Sequence, residues 1–353
     1  MLSKLLSKSK YSGQATDLLA AVSKPASMSR ISPAPVLLST EEINVNLDTT
    51  IPKHKPMTIR YVSDLHLEFI KPMKLKNILY FMSKVSDSDS PFSSSSFATS
   101  REYPTDSGDE VTSVSGPVAF ASSRTGPDAN VLVLAGDIGN PYSENYKEFM
   151  TFVNATYPKT FVIAGNHEYY QKQHTIEETK TFMKEFFAGF PNISFLDDSM
   201  ETYNGFHFIG TTLWSHISQP QYEINDVYMI PYLDHKQYNK LNKQCVEYLN
   251  KTVQELDNNC IIISHHQPSE TVIDPKYMTA KMRPYNQWFY SNMDSFIQEN
   301  NKKIKCWIYG HTHTPRTSVL FDVPLVCNPI GYPGENAKND YSKTITIDPS
   351  YEI

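Results

Sequence analysis

Cysteine is scarce: Cys245, Cys260, Cys306 and Cys327 are the four in 353 residues. No pair has C-x-x-C spacing, which argues against a zinc knuckle or a dithiol redox motif. Cys260 and Cys306 adjoin apolar runs and read as buried small hydrophobes. A reducing compartment is the plainer setting for such a set. Long apolar runs are lacking too. None approaches the roughly 18 residues that span a bilayer, so no transmembrane helix and no membrane partner is expected. An excess of positive charge is also missing, since 32 Lys and Arg against 38 Asp and Glu leave a net charge of -6. That disfavours broad nucleic-acid binding, which needs a basic surface. A local basic patch around an anionic substrate stays compatible with it. No solenoid-type repeat is found.

What is present is ordinary for a globular chain: 40% hydrophobic and 20% charged residues. The length suits one large domain or two modest ones. Residues 1–40 carry Lys4, Lys8, Lys10, Lys24 and Arg30, many serines and one acid, Asp17. This matches a mitochondrial-type targeting segment. The alternative is a basic extension, helical around Ala15–Val22 and loose elsewhere. A cytoplasmic protein is expected, or a mitochondrial one if the extension targets. The Ser-rich stretch at about 83–125 has few branched apolar residues and reads as a long inserted loop. The expected division is an extension over 1–56, a domain over 57–347 containing that insert, and a tail over 348–353.

A short apolar run ending in a polar cluster recurs. Thr58–Val62 leads into Asp64-Leu-His66, Val131–Leu134 into Gly136-Asp137, and Phe161–Ile163 into Gly165-Asn-His-Glu168. Cys260–Ile263 leads into Ser264-His-His266, and Ile304–Tyr309 into Gly310-His-Thr-His313. Each run reads as a buried strand feeding a loop. Helices are expected over Ser143–Ala155, Thr175–Phe187, Lys236–Leu256 and Ser291–Asn300. Thr175 and Glu178 form a capping box. Strands alternating with helices give an α/β architecture, in which loops at the carboxyl ends of strands gather functional groups.

Each cluster alone means little; Gly-Asp, for one, is a standard turn. Together they bring hard oxygen donors and imidazoles, which suit divalent Mn, Fe, Co, Ni or Zn. One carboxylate can bridge two ions, and Asp137, alone on its loop, is the natural candidate. Two ions about 3.5–4 Å apart bind both oxygens of an in-line phosphoryl displacement.

The ordered set Asp64-x-His66, Gly136-Asp137, Gly165-Asn-His-Glu168, His265 and Gly310-His-x-His313 resembles the calcineurin-like metallophosphoesterase superfamily. Gly210–Trp214, Ser264–Ser269 and Cys327–Gly334 are similar to segments of a bacterial-type branch of small metallophosphoesterases. Ile330 departs from the arginine found in many relatives. The resemblance implies a four-layer α/β/β/α sandwich with two mixed sheets. It implies one metal on Asp64, His66, Asp137 and His313, and a second on Asp137, Asn166, His265 and His311. It implies a metal-bridging hydroxide as nucleophile and His167 as proton donor. Glu168 and Tyr169 then either support His167 or begin the next loop. His265 is taken as ligand by resemblance, leaving His266 to face substrate or to pack.

The expected substrate is a small phosphate mono- or diester. A nuclease of the same superfamily and a metal-bound scaffold are the rival readings. The aromatic stretches Tyr222–Tyr238 and Tyr277–Tyr290 read as surface packing; the other reading is a lid that brings Lys281 or Arg283 to a phosphate.

Overall fold

The computed structural model describes residues 56–84, 129–336 and 339–348. Apart from edge residues, the expected extension, Ser-rich insert and tail lie outside the described residues.

Eleven strands alternate with helices among the described residues. The first sheet contains β1 (Met57–Val62), β2 (Val131–Ala135), β3 (Thr160–Ile163), β4 (Ile193–Phe195) and β11 (Thr344–Ile347). Its order is β11-β1-β2-β3-β4. The β1-to-β4 pairings are parallel and β11 runs antiparallel. The second sheet contains β5 (Ser199–Tyr203), β6 (Phe206–Thr211), β7 (Cys260–Ser264), β8 (Ile304–Tyr309), β9 (Arg316–Leu320) and β10 (Val323–Cys327). Its order is β5-β6-β7-β8-β10-β9, with a parallel centre and antiparallel edges. All five runs expected as strands are strands.

Strands buried on both faces read as unbroken apolar runs, because neither face can carry polar residues. Alternate residues of β2 and β3 (Val133, Ala135, Phe161, Ile163) meet Phe206, Phe208, Ile261 and Ile263 of the second sheet in one core cluster. Phe161 stacks on Phe208, with ring centroids 4.1 Å apart. Leu132, Leu134 and Val162 point the other way and are buried too. Helices cover these outer faces.

The helices are α1 (Pro72–Ser83), α2 (Glu144–Thr156), α3 (Ile176–Phe187), α4 (Asp226–Met229), α5 (His235–Gln254) and α6 (Asp294–Glu299). Phe187 of α3 stacks on Phe195 of β4, and Phe296 of α6 meets Trp307 of β8. The result is the four-layer sandwich with two mixed sheets. No described helix is long and apolar enough to cross a membrane. All four cysteines are buried and free.

The capping box forms as expected: Thr175 Oγ1 accepts from Glu178 N, and Glu178 accepts from Thr175 N. The expected helix over Ser291–Asn300 is shorter. Ser291 N instead donates to Gln267 O at 2.8 Å, so the segment before Asp294 pairs with the chain after β7.

Removing the Phe161 ring leaves a cavity between the sheets that close packing cannot refill. Phe161→Ala is expected to cost about 3–5 kcal/mol, read from the urea unfolding midpoint.

Candidate metal centre

Parallel strands deliver their carboxyl ends to one edge of each sheet, and the two edges meet. β1 ends at Asp64 and His66, β2 at Asp137, and β3 at Asn166 and His167. β7 ends at His265, and β8 at His311 and His313. Backbone hydrogen bonds stitch these loops together. Asp64 N donates to Gly136 O, His66 N to Asp137 O, and Gly310 N to His265 O, each at 3.0 Å.

Five of these residues adopt the left-handed backbone region: Asp64, His66, Asp137, His311 and His313, with φ between 49° and 69°. That region costs a non-glycine residue about 1–3 kcal/mol, so the surroundings must enforce it. The turns bend the chain at the strand ends, where these side chains gather.

The side chains form two groups around one carboxylate. In the first, His66 Nε2 lies 2.9 Å from His313 Nε2, and His313 Nε2 lies 3.3 Å from Asp64 Oδ1. Asp137 Oδ2 is 3.9 Å from His66 Nε2. In the second, His265 Nε2 lies 3.2 Å from Asp137 Oδ1, 3.0 Å from Asn166 Oδ1 and 3.2 Å from His311 Nδ1. Asp137 therefore turns one oxygen to each group. The groups Asp64–His66–His313 and Asp137–His265–His311 each bring ligand atoms within 4.8 Å of one another. A third such group, His66–Asp137–His167, overlaps the first.

The donors fit divalent cations. Asp137 Oδ2 and His311 Nε2 are buried without a hydrogen-bond partner. Such orphaned atoms are uncommon in folded proteins and ask for an explanation. Facing imidazole nitrogens 2.9 Å apart share at most one hydrogen when one ring is neutral, whereas a cation accepts a lone pair from both. His265 Nδ1 lies 2.9 Å from Ala135 O. An N–H on Nδ1 goes there, which leaves Nε2 as the ring atom that faces Asp137. His313 Nδ1 is similarly held by Glu335 at 2.7 Å.

Electrostatics follow the same pairing. Burial alone lowers an imidazole pKa. At His265 the Asp137 carboxylate overrides burial and raises it to about 10. At His313 burial is overridden by Asp64 and Glu335, giving about 9. His266 has no such carboxylate; burial and the neighbouring His265 push it down to about 3. His266 turns away from Asp137, with Nε2 2.9 Å from the Tyr238 hydroxyl.

His167 lies beside both groups. Its Nδ1 is 3.1 Å from Glu68 Oε1, and its Nε2 is 4.0 Å from Asp137 Oδ2 and 3.2 Å from the Tyr332 hydroxyl. Burial opposes its protonation, but Asp137 and Glu68 overcome that and raise its pKa. Glu68 itself, although half-buried, is pulled down to about 2 by hydrogen bonds from His167 and His66.

All eight expected site residues come together, and His266 packs behind them. Glu168 supports the backbone rather than His167. It accepts N–H bonds from Asp137, Ile138, Gly139 and Gly165 at 2.7–3.3 Å, tying the β2 and β3 loops together. Burial and the Asp137 charge raise its pKa to about 7. Ile330 is buried, and the loop it occupies is anchored by backbone: Ile330 N donates to Ser63 O, and Asn336 Nδ2 donates to Ile330 O.

Sequence reasoning did not single out Glu68, Asp226, Tyr332 or Glu335. Glu68 was within reach, two residues after His66. Tyr332 lies within the segment Cys327–Gly334, whereas Asp226 and Glu335 are tens of residues from the motif residues they touch and carry no local signature. Of the aromatic stretches, Tyr238 reaches the site, whereas Trp288 donates to Tyr222 O and Tyr222 packs on Tyr285. Arg283 faces Glu270 at 3.9 Å.

Gly165 is required by close approach. A Cβ there meets Asp137 Oδ1 at 2.2 Å and the Asp137 backbone nitrogen at 2.6 Å. Gly165→Ala is expected to weaken binding of divalent cations at least tenfold while leaving the protein folded, read by metal titration alongside circular dichroism.

The family model of calcineurin-like phosphoesterases matches residues 57–315. An uncharacterized protein of Acanthamoeba polyphaga mimivirus is 27% identical over 313 residues, covering 82% of this chain and 96% of its own length. Phosphopantetheinyl hydrolase from Mycobacterium tuberculosis shares the fold at a TM-score of 0.56 and 13% identity, over 84% of this chain and 99% of that one. A putative 5'-nucleotidase from Staphylococcus aureus aligns at a TM-score of 0.37 and 12% identity, over 77% of this chain and 48% of that one. With the family match covering most of the chain, the chain belongs to the calcineurin-like phosphoesterase family.

Proposed function

We propose that this protein hydrolyses phosphate mono- or diesters at a centre of two divalent cations. One observation carries the reading: two buried donor groups share Asp137, each facing a different oxygen of its carboxylate. Asp64, His66 and His313 would hold one ion with Asp137. Asn166, His265 and His311 would hold the other. When bound, such a pair lowers the pKa of a water and neutralises charge on phosphoryl oxygens.

The chain's own part is positioning and proton delivery. Glu68 accepts from His167 Nδ1, which leaves Nε2 as the atom that gives its proton to the departing alkoxide. The Glu68 carboxylate at Nδ1 favours the protonated imidazole. Tyr170 stacks beneath the imidazole at 4.1 Å and limits its rotation.

Phe69 presents an apolar face beside the proton donor. It is 55% exposed, its ring 6.5 Å from that of His167 and 5.5 Å from that of Tyr332. This supports an ester whose alcohol carries apolar surface. The acidic net charge supports a small substrate over a nucleic-acid strand.

Metal analysis combined with assays on p-nitrophenyl phosphate and its bis-ester tests the reading. Wild type is expected to bind two ions and to lose activity on chelation. His167→Ala should lower kcat by about 10²–10⁴-fold with both ions retained. Asp137→Asn should lose metal, and full metal content and activity in that variant would refute the shared-ligand assignment. Phe69→Ala should raise KM for aryl esters more than it lowers kcat.

A further inference from the structure

Asp226 is fully buried, yet no motif contains it and it does not face the shared carboxylate. It opens α4, 60 residues after Asn166. Its Oδ1 accepts from Asn166 Nδ2 at 2.8 Å and from the Tyr170 hydroxyl at 2.6 Å. Its Oδ2 accepts from the Tyr238 hydroxyl at 3.0 Å. A buried carboxylate is costly unless such donors surround it, so its retention calls for a reason.

We propose that Asp226 is a positioning residue for Asn166 and thereby for the second cation; the inference rests on the two-cation reading. An asparagine amide has one accepting end and one donating end, of similar shape. Only the accepting end can face a cation. Both Asp226 oxygens are taken up as acceptors, Oδ1 by Asn166 and Tyr170 and Oδ2 by Tyr238, so it is the Asn166 NH₂ that turns to Asp226. That leaves Oδ1 aimed at the second group, where it lies 3.0 Å from His265 Nε2.

On the NH₂ side, no other contact among the described residues makes this choice. The Tyr170 hydroxyl is 3.4 Å from Asn166 Nδ2, and a hydroxyl both donates and accepts. The backbone does not make it either. Asn166 sits at φ −74° and ψ −30°, an ordinary helical conformation, while five of the other six candidate ligands are aimed by left-handed turns. Asn166 and His265 lack such a turn; the His265 ring is held by Ala135 O, and the Asn166 amide by the buried Asp226.

The test uses the full-length protein loaded with Mn(II), followed by titration and by electron paramagnetic resonance. Outer-shell partners of metal ligands are typically worth about 10–100-fold in affinity. Asp226→Asn is nearly isosteric but can offer either end to Asn166. It is expected to weaken the second ion by at least about tenfold. The signal of a coupled manganese pair should then give way to that of a single ion, with the first ion retained.

Tyr238→Phe removes a different hydrogen bond to Asp226 and should keep both ions. Asn166→Asp combined with Asp226→Asn restores the donor-to-acceptor pairing in reverse and should recover the second ion better than either single change. This rescue also covers the case in which Asp226→Asn alone folds poorly.

Wild-type affinity for both ions in Asp226→Asn would overturn the inference while leaving the two-cation reading intact. So would a loss in Tyr238→Phe equal to that in Asp226→Asn, which would make Asp226 only a pin for its loop. A double variant no better than the singles would count against it equally. Fewer than two ions in the wild type would overturn both readings.

Discussion

Asp137 carries one negative charge where no solvent reaches, at the seam between two sheets. Its two oxygens look in different directions, toward His66 and toward His265. Its backbone and side chain are gripped as well: Asp137 N donates to Glu168, and His167 N donates to Asp137 Oδ1 at 2.8 Å. The geometry of both donor groups refers back to this carboxylate. Burial raises a carboxyl pKa, yet the nearby His265 and His167 charges hold that of Asp137 well below the usual range. The acid stays ionised in a place where an isolated acid would take up a proton.

Bringing six other donors to one carboxylate is costly. Five candidate ligands sit in left-handed backbone, and Gly136 and Gly165 are stripped of a Cβ where the loops cross. The interior offsets this with close packing between the sheets and with acids aimed at backbone. Glu168 is the clearest of these, since four N–H groups from two loops converge on it. Strain held by dense surroundings keeps a site rigid, which suits chemistry that depends on angles and distances.

Acids behind the ligands divide the remaining work. Glu68 takes an N–H from His167, Glu335 fixes His313, and Asp226 faces Asn166. Each acts on the far side of a side chain whose near side faces the centre. Tyr332 closes one wall, with its ring 4.4 Å from His66 and 4.8 Å from His313. Its loop is fastened by Glu335, which accepts from Tyr332 N at 3.0 Å. Ile330 sits buried in that loop, with its N–H on Ser63 O.

Five strands, most of the helices and the order of the ligand motifs were legible along the chain. Strands buried on both faces leave continuous apolar runs, and the turn that ends each run must be polar. The capping box at Thr175 and Glu178 was legible because both partners lie within one helical turn. The edge strands β4, β5, β9 and β11 were not, since edge pairing tolerates mixed residues, and the inner strands β6 and β10 were not among the five either. Which histidine of His265 and His266 faces Asp137 was decided by how the chain leaves β7. The roles of Glu168 and Asp226 were decided by what the fold brings opposite them. A motif records residues that must be neighbours in sequence. Tyr332 and Asp226 touch the site across 165 and 60 residues, and contacts of that span exist only once the two sheets have closed on each other.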